Sequence, residues 1–177
     1  MELDALYELR KLVDTTLDIC DTIEKTGLWT LSGKIRMRHM LQVDLYRFCH
    51  YLAASDGRIT VKESAFINTV IGINTDINEM LSFIKKENIY STEFESTVPL
   101  IIRGAVEAER RIKKLGAADG GETSSLFANC FAAVGKAFVS CDDIDEQEIE
   151  DYKIYMTTIN NFIKESELDD ITRELFD

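Results

Sequence analysis

Apolar residues recur at intervals of three and four along almost the whole chain, the signature of helices with one buried face. Leu6, Leu9, Val13, Leu17, Cys20 and Ile23 predict a long amphipathic helix over about 2–25, stopped by Gly27. Residues 28–38, with Trp29 and Gly33, read as an irregular connection, and helices follow at about 39–55 and 61–71. Asn74-Thr75-Asp76 offers a cap for a helix over about 76–87. Thr97, with Pro99 in the opening turn, starts another that ends at Gly116. The loop 117–122 divides the halves and is expected to be the most mobile segment. Thr123 or Ser124 caps a helix to about 140, and a last pair covers about 146–164 and 167–176. No period-two alternation appears, so the predicted fold is all-α, one compact domain of about seven to eight helices.

Two segments resemble each other. Ser55-Asp56-Gly57-Arg58-Ile59-Thr60-Val61-Lys62-Glu63 and Ser140-Cys141-Asp142-Asp143-Ile144-Asp145-Glu146-Gln147-Glu148 match at a constant offset of 85. Thr60 with Glu63, and Asp145 with Glu148, have the spacing of a capping box. There the cap side chain accepts an orphan N–H of the first turn and the Glu can reach back to the cap's own N–H. Ile59 and Ile144 precede the caps, where a buried apolar residue sets the angle at which the chain enters the helix. Upstream, Leu45, Phe48, Cys49 and Leu52 are matched at the same offset by Cys130, Ala133, Val134 and Ala137, each set on one helical face. The likeness fades downstream, where Phe66 aligns with Asp151. These features predict a duplicated helix–acidic turn–helix unit, with halves at about 39–71 and 124–164.

Tyr51-Leu52-Ala53-Ala54-Ser55-Asp56-Gly57-Arg58-Ile59-Thr60-Val61-Lys62-Glu63 resembles the signature of the TerB-like superfamily. That family includes tellurite-resistance TerB proteins and the N-terminal module of a membrane-anchored DnaJ-type co-chaperone. The resemblance implies a paired helical core and an adaptor or stress-response role beside other proteins. The second copy departs from the signature: Cys141 stands in place of Asp56, and Asp142-Asp143 in place of Gly57-Arg58. The two turns therefore need not hold the same ligand.

Two chemical readings of the turns stand side by side. Asp56, Glu63, Asp142, Asp143, Asp145 and Glu148 are hard oxygen donors suited to Ca²⁺ or Mg²⁺, which would make the chain a cation sensor or buffer. Alternatively Asp56 turns the chain, Thr60 and Asp145 cap, and Glu63 and Glu148 complete the boxes. An EF-hand is excluded by spacing, because a loop opening at Asp142 would require Gly at Gln147.

Composition narrows the partners. A net charge of −12 repels nucleic-acid backbones and anionic lipid surfaces and favours a protein partner with a basic surface. The basic group Arg103, Arg110, Arg111, Lys113 and Lys114 falls toward a helix C-terminus, where cations suit the dipole. No run approaches the roughly 20 apolar residues needed to cross a bilayer. The acidic start Met1-Glu2-Leu3-Asp4 is unlike a secretory signal, and Cys20, Cys49, Cys130 and Cys141 read as buried free thiols of a cytoplasmic protein. His50 beside Cys49 is no nucleophile–base pair, since neighbours on a helix point about 100° apart; His39 reads as a surface residue. With no phosphate loop or hydrolase motif, the expectation is a non-enzymatic interaction module. Trp29 is the candidate partner anchor.

Overall fold

The computed structural model describes residues 3–27, 35–54, 57–89, 92–116, 122–142 and 145–176, the last stretch from 168 as backbone only. The elements are α1 (Leu3–Lys25), α2 (Met37–Ala53), α3 (Val61–Ile67) continued by a π-helical turn (Asn68–Gly72), α4 (Ile77–Lys86), the single turn α5 (Thr92–Glu95), α6 (Leu100–Lys114), α7 (Thr123–Phe138) and α8 (Glu146–Phe176). No strand occurs among the described residues, and the all-α expectation holds.

Helix α2 is the axis of the fold. It packs on α1, α3, α4, α6, α7 and α8. Its sequence explains this: Met40, Leu41, Leu45, Phe48, Cys49 and Leu52 are buried on one face, and Tyr46, His50 and Ala53 are buried on the other. Phe48 stacks on Tyr155 of α8 at 4.9 Å and meets Phe131 of α7 at 5.4 Å. Gly135 allows this approach, because a Cβ there would lie 2.7 Å from Phe48 and 2.6 Å from Tyr152. Every cysteine is buried and free. Burial pushes their thiols up, Cys20 to about 12 and Cys130 to about 11, so they pack as small apolar groups.

Several helix starts differ from expectation. Pro99 sits at the N-cap of α6, outside its first turn, and Thr97 is no cap, since its hydroxyl donates to the Glu93 carbonyl at 2.6 Å. The α6 start is held instead by Asp44 of α2, which accepts the Ile101 N–H at 2.8 Å in a buried site. Neither Thr123 nor Ser124 caps α7. Glu109 of α6 accepts the Ser124 N–H at 2.6 Å and its hydroxyl at 2.8 Å. The start of α2 is held similarly by the Glu24 carboxylate of α1, which accepts the Met37 N–H. In contrast, within the expected Asn74-Thr75-Asp76 cap it is Asp76 that caps α4, and the structure adds a complete box to Glu79. The expected break between 164 and 167 is absent, and α8 is one helix. Lys164-Glu165-Ser166-Glu167 contains no Gly or Pro to end it, and buried Ser166 offers its carbonyl to Arg110 of α6 at 3.3 Å.

The π turn is held from outside. Arg10, clamped by Asp14 at 2.6 and 2.8 Å, donates to the carbonyls of Val70 at 3.2 Å and Thr69 at 3.4 Å. Gly72 closes the turn with φ +75°, and a Cβ there would fall 2.2 Å from Arg10 Nη1. Gly57 has the same φ of +75° but faces open space. Gly57→Ala should therefore lose about 1–2 kcal/mol, the left-handed strain alone. Gly72→Ala should lose more, because the Arg10 clamp is displaced too. Equal denaturation midpoints for the two variants would contradict this account of the π turn.

Candidate functional site

Each hairpin turn begins from its own local chemistry. Between α2 and α3 the box is complete: Thr60 Oγ1 accepts the Glu63 N–H at 3.1 Å, and Glu63 Oε2 accepts the Thr60 N–H at 2.6 Å. Buried Ile59 anchors the approach. Between α7 and α8, Asp145 Oδ1 accepts the N–H groups of Gln147 at 2.7 Å and Glu148 at 3.2 Å. The turns are not identical. Gly57 adopts the left-handed region, whereas Asp142, its match at the 85-residue offset, does not.

The structure brings the two turns together. Thr60 Oγ1, while accepting from its own helix, donates to Asp142 Oδ2 at 2.8 Å. At the same junction Glu63 and Glu148 are buried, 3% and 5% exposed, with their carboxyl groups close enough for each to act on the other's proton affinity. Burial is the main force raising both, followed for Glu148 by the Glu63 charge; Glu148 is pushed up to about 8. Glu148 Oε2 is buried and accepts from no protein donor. Cys141 is buried beside the pair, its thiol pushed up to about 12 by burial and then by Asp142.

Of the acidic candidates, Glu63, Asp142, Asp145 and Glu148 are thus at one junction, while Asp56 and Asp143 lie outside the described residues, as do Trp29, Ile144 and loop residues 117–121. Glu63 and Asp145 hold helix N–H groups and Asp142 accepts the Thr60 hydroxyl, while Glu148 keeps one buried oxygen without a protein donor. Among the described residues no three His, Cys, Asp or Glu side chains are grouped to hold a metal ion.

Other polar groups serve the fold. His50 is fully buried, with Nδ1 2.7 Å from the Tyr46 carbonyl, and burial lowers it to about 4. His39 is exposed, as expected. A cavity of about 70 Å³ between α6, α7 and α8 is lined by Glu109, Arg110, Lys113, Ser124 and Ser125. It is well below the roughly 300 Å³ at which small-molecule sites begin. The Asp44, Glu109 and Glu24 caps escaped sequence reasoning. Asp44 alone left a trace, as a lone acid between Leu41, Leu45 and Phe48 on a buried face.

No helix among the described residues is long and apolar enough to cross a membrane. Comparison with protein-family models, curated proteins and solved structures returned no match.

Removing either cap leaves a first-turn N–H without its acceptor. Asp145→Ala should lose about 1 kcal/mol in chemical denaturation. Thr60→Ala should lose a similar amount, since it strands one N–H and strips Asp142 of a donor, whereas Asp145→Ala strands two N–H groups. Unchanged midpoints would show that these residues are not caps.

Proposed function

We propose that this chain is a cytoplasmic, TerB-like protein-interaction module that recognises partners through a basic surface on the partner. The observation carrying this reading is the junction of the two acidic turns, through Thr60 Oγ1 and Asp142 Oδ2 at 2.8 Å. The segments that bear the family resemblance join two helical hairpins, which suits a scaffold better than a reaction centre. The surplus of 32 Asp and Glu over 20 Lys and Arg supplies the recognition. Such a charge steers basic partners and repels acidic competitors. The four buried thiols suit a reducing compartment. A link to stress response rests on the resemblance.

The test is affinity capture with the full chain from its native cells, followed by measurement of the purified pair. A stoichiometric partner with a basic contact face, bound at least tenfold more weakly at 0.5 M than at 0.1 M salt, is the expected result. Retention that ignores salt, or no partner beyond those held by an unrelated helical protein of similar charge, would contradict the proposal.

A further inference from the structure

We propose that the Glu63–Glu148 contact is a proton-held latch between the two hairpins, and that losing its proton lets the α2–α3 and α7–α8 turns part. The argument begins with hydrogen-bond donors. A carboxylate only accepts, so two carboxyl groups can bond to each other only when one carries a proton. Glu63 already accepts the Thr60 N–H at 2.6 Å, which favours its ionised form. Glu148 is 95% buried by its 5% exposure, and its Oε2 has no protein donor. A proton on Glu148, donated to Glu63, satisfies that oxygen and leaves one negative charge on the pair instead of two. The charged groups acting most strongly on the pair from the adjoining turns are Asp142 and Asp145, both acidic, and they too favour retaining the proton. Thr60, three residues before Glu63, donates its N–H to Glu63 and its hydroxyl to Asp142.

Release of the proton to water leaves two buried carboxylates facing each other with Asp142 beside them. Like charges confined in a dry site repel strongly. The contact with least to hold it is the single Thr60–Asp142 bond, which is exposed. The turns open there, and Cys141, next to Asp142 and 7% exposed, becomes reachable.

The sign of the linkage follows. The folded state holds the proton to about pH 8, against an ordinary value of 4.5. The latch therefore contributes fully below the ordinary value, and its contribution is lost as pH rises through about 8. Buried His50, depressed to about 4, acts in the opposite sense only below about pH 6.5. Above about pH 6.5 His50 no longer opposes the latch.

Two measurements test the latch. In the unaltered chain with ¹³C-labelled glutamate, one side-chain carboxyl resonance should titrate above pH 6.5. Completion of every glutamate titration below pH 6 would overturn the proposal without any variant. Second, Cys141 is labelled with 4,4′-dithiodipyridine, which reacts in both acid and mild base, in wild type and in Glu148→Gln. The Gln amide keeps a donor toward Glu63 and cannot ionise. Rates should agree at pH 6, and wild type should react at least tenfold faster at pH 8.5. Equal rates at pH 8.5 would overturn the opening step, and Glu63→Gln, which also leaves one charge, provides an independent check.

Discussion

The starts of helices inside a bundle impose the constraint on which this fold depends. The first-turn N–H groups have no partner within their own helix, and leaving them unpaired in an apolar interior costs about 1–3 kcal/mol each. At the starts of α2, α6 and α7, carboxylates resolve this by reaching across from another helix. Glu24 of α1 holds α2, Asp44 of α2 holds α6, and Glu109 of α6 holds α7. Each acid thereby fixes a helix terminus at a point on a neighbour's face, so the three contacts form a chain running α1 to α2 to α6 to α7. Desolvation raises Asp44 to about 6 and raises Glu109, while the N–H groups they accept pull each back toward ionisation. Some of the acid surplus is therefore structural, and only the remainder is available to a partner.

The parts legible in the sequence were those decided within a few residues. Period and caps placed α1, α3 and α4 closely, because Thr60 with Glu63, and Asp76 in the stretch Asn74-Thr75-Asp76, act within one helical turn. Buried free thiols were legible for the same reason: Cys20, Cys49 and Cys130 lie on apolar helical faces. What was not legible is what tertiary contact decides. Thr97, Thr123 and Ser124 have the chemistry of caps, but Asp44 and Glu109, distant in sequence, reached the starts of α6 and α7 instead. The break expected between 164 and 167 had no Gly or Pro to make it, and α8 runs on through Ser166. The offset of 85 located both turns, but it could not show that Thr60 and Asp142 would meet.

That meeting changes what the acidic turns mean. As isolated loops they offered oxygen donors. At the junction Glu63 and Asp145 serve helix starts and Asp142 takes the Thr60 hydroxyl, and the molecule gains a seam between two hairpins that carry the repeated motif. The left-handed Gly57 and its ordinary counterpart Asp142 give the halves different backbones at equivalent points, so the seam is asymmetric.

Native-state amide exchange tests the account at its base. Met37, Ile101 and Ser124 each donate their N–H to a carboxylate from another helix, whereas Glu79 donates to the cap of its own helix. If trans capping ties these helix starts to the packed fold, the first three amides exchange only with global unfolding, at the free energy of core amides such as Val134. Glu79, exposed and locally held, then exchanges through fraying at a much lower free energy. Exchange of Met37, Ile101 and Ser124 as fast as that of Glu79 would contradict the account.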